Sequence, residues 1–182
     1  MAEFPATQRY IDTGRLRLIA ANPELVAEDL AGRDRLSAVL GARVSDSWPP
    51  ELYDRRAMEH AARQLTNPLE ARWSFWYLVN RRDEEDELVG ICGFKGRPDA
   101  RGSVEIGYSI LPQFRNQGIA TEAVAALVGW AFAQGAVQEI TAETFPHLKQ
   151  SIRVLEKNGF HFAGKGSEHG VIRYLLDRSS LI

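Results

Sequence analysis

The sequence has almost no cysteine. Cys92 stands alone in 182 residues, so no intrachain disulfide can form, and that fits a reducing, cytoplasmic setting. There is no surplus of positive charge. Lys and Arg number 22 against 24 Asp and Glu, a formal net charge of -2, and nothing in that balance attracts nucleic acid or an anionic membrane surface. No apolar run approaches the roughly 20 residues of a membrane span. The N-terminus, MAEFPATQRY, lacks the charged start and apolar stretch of a signal peptide. His60, His147, His161 and His169 show no metal-ligand spacing with Cys92, so no metal is expected. Two phosphate-binding signatures are missing as well. There is no Gly-x-Gly-x-x-Gly and no Gly-Lys-Ser/Thr loop end, which argues against a nucleotide-binding domain.

What is present is an ordinary globular composition, 45% hydrophobic and 25% charged, long enough for one domain with a sizeable core. No repeat, low-complexity segment or linker interrupts residues 1–182. Residues 13–21 alternate as a strand does. Asn22-Pro23-Glu24 is a capped helix start, with Gly32 as its stop. Helical patches follow at 35–40 and 52–65, separated by the break Ser47-Trp48-Pro49-Pro50 and ended by an Asn67-Pro68 turn. Residues 73–79, 88–94 and 103–111 read as three strands whose short connections predict an antiparallel meander. Cys92, in the middle strand, reads as a small buried apolar residue. The charged run 81–87 reads as a solvated hairpin loop. Residues 119–134 form the clearest helix, with Val124, Leu127, Val128, Ala131 and Phe132 on one face and Gly135 as its stop. Residues 137–144 are expected to run parallel to the strand before that helix. A short helix at 151–158 and strands at 160–164 and 170–177 complete an α/β (α+β) fold. Its sheet is mixed and mostly antiparallel, of about six or seven strands, with helices at its flanks.

The most informative stretch is Ile110-Leu111-Pro112-Gln113-Phe114-Arg115-Asn116-Gln117-Gly118-Ile119-Ala120. A strand ends at a proline, a polar turn follows, and a helix begins at once. A helix start bares N–H groups that have no partner in the helix and carries a partial positive charge. A turn of Arg115, Asn116, Gln117 and Gly118 in front of it is a cradle for a phosphate-bearing ligand. Taken alone, Gly118 would read as a plain turn residue.

Four blocks in order carry a resemblance. They are Val104-Glu105-Ile106-Gly107-Tyr108, the Arg115-x-x-Gly118-x-Ala120 turn, Thr121-Glu122-Ala123, and the run from Ser151 to Phe160, SIRVLEKNGF. Together they resemble the GNAT superfamily of N-acetyltransferases, and within it the ribosomal-protein N-terminal acetyltransferase branch, over a core from about Thr13 to Asp177. The resemblance implies a sheet splayed between the strand at 104–111 and the strand at 137–144. It implies acetyl-CoA as co-substrate, with the backbone amides of Gln117, Gly118, Ile119, Ala120 and Thr121 on the diphosphate and Arg115 and Asn116 beside it. The strand before the turn would meet the pantetheine arm, and the N–H of Ile110 or Leu111 would polarise the thioester carbonyl.

The implied reaction is direct acetyl transfer to a primary amine, either a protein N-terminus or a small molecule. The amine must lose a proton before it attacks, and a carboxylate can take it, directly or through water. Glu105 is the first candidate base, with a solvent-facing strand residue as the alternative reading. Glu143, on the facing strand, is the second. The family's usual Tyr in the last helix is Leu155 here, and its Asn before that helix is Leu148. Ser151 could hydrogen-bond the leaving sulfur instead, or simply cap the helix. His147 is either a proton relay or a solvated loop residue. Trp48 and Tyr53 are candidates for the acceptor side, unless Trp48 is a packing anchor under its loop. A non-catalytic acyl-CoA-binding module of the same fold is the alternative function. Homodimerisation is left open.

Overall fold

A computed structural model describes residues 9–181, so most of the segment examined for a signal peptide lies outside the described residues. Eight strands form one sheet in the order β1-β2-β3-β4-β5-β6-β8-β7. They are β1 (Tyr10–Asp12), β2 (Leu16–Ala20), β3 (Phe75–Asn80), β4 (Glu87–Phe94), β5 (Ser103–Ile110), β6 (Glu139–Thr144), β7 (His161–Lys165) and β8 (Ile172–Asp177). The expected meander of β3, β4 and β5 is antiparallel throughout. Among the described strands β5 and β6 pair in parallel, across the helix that joins them, and an isolated parallel bridge joins Arg43 to Glu87. The eighth strand is β1, a three-residue piece against β2. It is too short for alternation to reveal.

Among the described residues there are six α-helices: α1 (Pro23–Ala31), α2 (Arg33–Leu40), α3 (Arg55–Leu65), α4 (Pro68–Ala71), α5 (Ile119–Ala133) and α6 (Lys149–Lys157). Local chemistry sets their ends. The Asn22 side chain accepts from Leu25 N at 2.8 Å and Pro23 opens α1. Asp54 accepts from Ala57 N at 2.9 Å, which starts α3 three residues later than its apolar pattern suggests. Asn67-Pro68, expected as a turn, instead caps and opens the short α4. Each is a side-chain oxygen taking up an N–H that the helix cannot satisfy.

Helix α5 is the apolar hub. Its Val124, Leu127, Val128, Ala131 and Phe132 are buried as expected. Trp130 meets Trp73, Trp76 and Phe94 at 5.2, 5.5 and 5.8 Å between ring centroids, which seats α5 on β3 and β4. Such aromatic contacts add to the burial of large apolar areas. The loop between β3 and β4 is charged and exposed except at its end. Glu87, read from sequence as solvated, is the buried first residue of β4. It pairs with Arg43 and sits 3.6 Å from Arg82, because a buried carboxylate needs a cation.

Among the described residues no helix is long and apolar enough to cross a membrane. Among them no group of three or more His, Cys, Asp and Glu side chains is placed to hold a metal ion.

Candidate functional site

The sheet opens in the middle. Strands β5 and β6 pair at Ser103↔Glu139, Val104↔Ile140 and Glu105↔Thr141, and no further. Beyond Glu105, β5 continues alongside β4 alone as far as Ile110. The β4 ladder takes the main-chain groups of alternate residues: Lys95 N bonds Glu105 O, and Leu111 N bonds Val89 O, each at 2.9 Å. Antiparallel alternation therefore turns the main-chain groups of Ile106, Tyr108 and Ile110 toward the opening. The two N–H groups expected near a thioester carbonyl differ here. The Leu111 N–H is already committed to Val89, so only that of Ile110 faces the gap. Gly107, in the same stretch, has no other atom within 4 Å of where a side chain would begin.

The turn after β5 is built from the chain outward. Pro112–Phe114 make one 3-10 turn whose Phe114 is buried. Asn116 (φ 61°) and Gly118 (φ 77°) are both left-handed, a conformation that glycine adopts without penalty and that asparagine tolerates. They reverse the chain into α5. Glu122 N is the first amide there with a helical partner, Gly118 O at 3.0 Å. Among the described residues the N–H groups of 116–121 have no such partner, and no side chain caps this helix. The result is a row of bare donors at a helix start, beside the opening in the sheet.

The side chains around the cradle brace it. Arg15, which the sequence reading missed, donates to Gln117 O at 2.8 Å and holds Glu122 through Nε at 2.8 Å and Nη2 at 2.5 Å. Thr13 Oγ1 also bonds Glu122, at 2.5 Å. Asn158 donates to Thr121 O at 3.2 Å, tying α6 to the first turn of α5. Arg115, expected beside the diphosphate, turns to Ile110 O at 3.0 Å and to Glu51 at 3.0 Å. It therefore links the turn to the loop between α2 and α3. Gln113 adds a second link there, to Ser45 Oγ at 3.2 Å.

The two candidate bases differ. Glu105 and Glu143 project from the same face of β5 and β6, by the register Glu105↔Thr141. Glu105 is partly exposed and pairs with one exposed lysine, Lys95. Glu143, whose side chain is 7% exposed, bonds Arg173 at 2.7 and 3.0 Å and Ser167 through N at 2.9 Å and Oγ at 2.6 Å. Burial pushes the Glu143 carboxyl up, but the Ser167 and Arg173 hydrogen bonds outweigh it and hold it below the usual range. Glu143 is a strut between β6 and β8, while Glu105 needs only one flexible amine to move aside.

Ser151 is the third residue of α6, because the helix starts two residues before the expected point. It therefore does not cap the helix. Its Oγ and main-chain O each lie 3.0 Å from Tyr108 Oη, across the opening. Burial pushes the Tyr108 phenol up to about 12, although the Ser151 hydrogen bond pulls it back. The exposed His147 stacks on Phe145 in the loop before α6. Trp48 and Tyr53, expected on the acceptor side, are 7% and 3% exposed. They close on the buried Asp29 instead: Trp48 Nε1 donates to it at 2.8 Å, Tyr77 Oη at 2.9 Å and Tyr53 Oη at 3.4 Å. Trp48 is thus the packing anchor of its loop. Leu52, in the same loop, is 94% exposed.

Known proteins are similar to this chain in sequence and in fold. A family model described as an acetyltransferase (GNAT) domain matches residues 15–161. The uncharacterized N-acetyltransferase YjdG of Bacillus subtilis (strain 168) is 29% identical over 161 residues, spanning 87% of this chain and 94% of that protein. Among solved structures, the ribosomal L7/L12 alpha-N-protein acetyltransferase RimL aligns with a TM-score of 0.68 at 17% identity, covering 97% of this chain and 98% of that one. The microcin C7 self immunity acetyltransferase MccE, solved with acetyl-CoA and AMP, aligns with a TM-score of 0.63 at 15% identity, covering 91% and 93%. At these identities the structural likeness speaks for the fold. The family model spans the strand that ends at the bare cradle, the cradle itself and the last helix, so the chain belongs to the acetyltransferase (GNAT) family.

Proposed function

We propose that the protein transfers the acetyl group of acetyl-CoA to a primary amine by direct attack, both substrates being bound together. The row of bare amides at 116–121, next to the opened sheet, carries this reading. Its chemistry fits a diphosphate: several N–H donors converge on a helix start with no competing carboxylate free beside them, since Glu122 is held by Arg15 and Thr13. The main-chain groups of Ile106, Tyr108 and Ile110 would meet the pantetheine arm, and the space at Gly107 leaves room beside them. Acetyl-CoA would supply an activated acetyl group and a thiol that leaves readily.

The chain's own residues do the rest. Glu105, on the strand lining the opening, takes the proton from the acceptor ammonium, directly or through a water. Glu143 is the weaker choice, because it would first have to leave Arg173 and Ser167. The Ile110 N–H is the donor for the carbonyl oxygen. Ser151, freed from capping, offers its hydroxyl to the sulfur. The acceptor is a protein N-terminus or a small amine. RimL's name, for a ribosomal L7/L12 alpha-N-protein acetyltransferase, supports the first.

An acceptor screen read by free-thiol release tests the proposal. A panel of peptides and small amines should contain one that drives release. With it, E105Q should lower kcat/KM about a hundredfold and remove the acid limb of the pH profile, while acetyl-CoA affinity stays within about twofold. Tight acetyl-CoA binding with no acceptor-dependent release would make the protein a binding module instead.

A further inference from the structure

The contact between Tyr108 and Ser151 joins two elements that the opened sheet no longer ties together. Pairing of β5 with β6 stops at Glu105, three residues before Tyr108. The phenol then reaches α6 and meets both oxygens of Ser151 at 3.0 Å. Neither group is free to wander. Tyr108 pairs with the buried Cys92 across β4 and packs against the core. Ser151 lies inside the first turn of α6, where its hydroxyl has no capping role.

A serine hydroxyl has three staggered positions, and its proton follows whichever acceptor is nearest. Something must choose one position if that proton is to be useful. The phenol oxygen lies 3.0 Å from both Ser151 O and Ser151 Oγ, close enough for its single proton to be shared between them as in a three-centre bond. Burial keeps the phenol protonated, so it has a proton to give to Ser151 O, while either hydroxyl can donate in the contact with Ser151 Oγ. A serine oxygen that accepts from Tyr108 keeps its own O–H for another partner.

We propose that Tyr108 is a positioning residue, holding Ser151 Oγ so that the serine O–H is presented to the sulfur that leaves during transfer. This rests on the acetyltransferase reading above. In that reaction a carbon–nitrogen bond forms and a carbon–sulfur bond breaks. The sulfur keeps the bonding electron pair. The two protons lost by the ammonium nitrogen pass through Glu105 to water. Ser151 keeps its own proton, since a hydroxyl is a weaker acid than a thiol, and contributes only a hydrogen bond that strengthens as charge grows on sulfur. Such a bond matters to turnover more than to binding.

The test is a double-mutant cycle on acceptor-dependent thiol release, with acetyl-CoA affinity measured by calorimetry and folding by thermal melting. Y108F should lower kcat roughly three- to tenfold and leave the acetyl-CoA Kd within about twofold. In an S151A background the same change should alter kcat by less than about twofold, because coupled residues are not additive. An equal drop in both backgrounds overturns the proposal. So does a loss confined to acetyl-CoA affinity, or a Y108F protein that does not fold, since Tyr108 would then be a strut. If S151A turns over like the unaltered protein, the serine has no such role and the proposal falls, while the acetyltransferase reading stands. No release by the unaltered protein with any acceptor removes that reading itself, and this proposal with it.

Discussion

The Asp29 cluster and the turn at 115–118 are both polar sites framed by helix ends and loops, and they are satisfied to opposite degrees. The Asp29 carboxylate is buried and collects hydrogen bonds from Trp48, Tyr53 and Tyr77. The rings around it touch one another, with Tyr53 and Phe75 at 4.8 Å and Phe75 and Tyr77 at 5.0 Å. At the turn, the N–H groups of 116–121 have no partner among the described residues, while the side chains around them are paired away. Buried polar groups are nearly always matched inside a folded protein, so a matched cluster speaks of stability. A run of unmatched donors at the surface of a helix start speaks of a ligand. The contrast explains why Trp48 and Tyr53, aromatic and near the acceptor side, hold the scaffold rather than line the cleft.

The largest effect should come from emptying the matched site. D29A leaves three donors buried without an acceptor, two phenols and an indole. The expected loss is about 3–5 kcal/mol of folding stability, read by urea unfolding. Acetyl-CoA affinity in the folded fraction should be unchanged. A loss below about 1 kcal/mol would mean that the three donors find other partners, and the contrast would be broken.

The next effect belongs to the bare site and has the opposite signature. G118V places a β-branched side chain at φ 77°, where it costs about 1–2 kcal/mol unless the backbone moves. Contact is not the obstacle, since the nearest atom to a new Cβ is Arg15 Nη2 at 3.6 Å. The backbone movement misaligns the amides. Losing one or two charge-assisted bonds should weaken acetyl-CoA roughly a hundredfold, measured by calorimetry, with only a modest fall in melting temperature. An unchanged Kd would show that the cradle does not hold the ligand.

The turn before α5 was legible in the sequence because its signals are local: a strand, a proline, a polar turn with Gly118, then an apolar helix. The meander, α5 and the parallel step from β5 to β6 were legible for the same reason. What escaped depends on distant partners. Arg15 meets Glu122 across 107 positions and Tyr108 meets Ser151 across 43. No periodicity encodes either pairing. Trp48 was open between an acceptor-side aromatic and a packing anchor, and its buried bond to Asp29, 19 positions earlier, is what the local sequence does not encode. Glu87 sat in a charged run, and only its pairing with Arg43 shows why it could be buried. The availability of an N–H is likewise a property of the ladder. Leu111 and Ile110 are equivalent in sequence, and the bond to Val89 separates them.

The smallest effect sharpens the contrast through pH, using Asp29 against Glu143. Burial lifts the Asp29 carboxyl above its ordinary 3.8, although the Trp48, Tyr77 and Tyr53 hydrogen bonds hold it back. A group raised by folding stabilises below its unfolded value, and that contribution is lost as the pH rises through the folded value. The stability of the unaltered protein relative to D29N should therefore fall as the pH climbs from about 3.8 through the raised value. Glu143 runs the other way. Its carboxyl lies below the ordinary 4.5, because the Ser167 and Arg173 hydrogen bonds outweigh the opposing effect of burial. Its contribution is present above 4.5 and is lost as the pH falls through the lowered value. Relative to E143Q, the unaltered protein should therefore gain stability as the pH rises over the acid range. Urea midpoints for the three proteins, taken in steps of pH, give the two slopes. Opposite signs are expected from a carboxylate caged by neutral donors and one braced by a cation. Slopes of the same sign would mean that the difference between neutral donors and a cation does not set how these two carboxylates respond to pH.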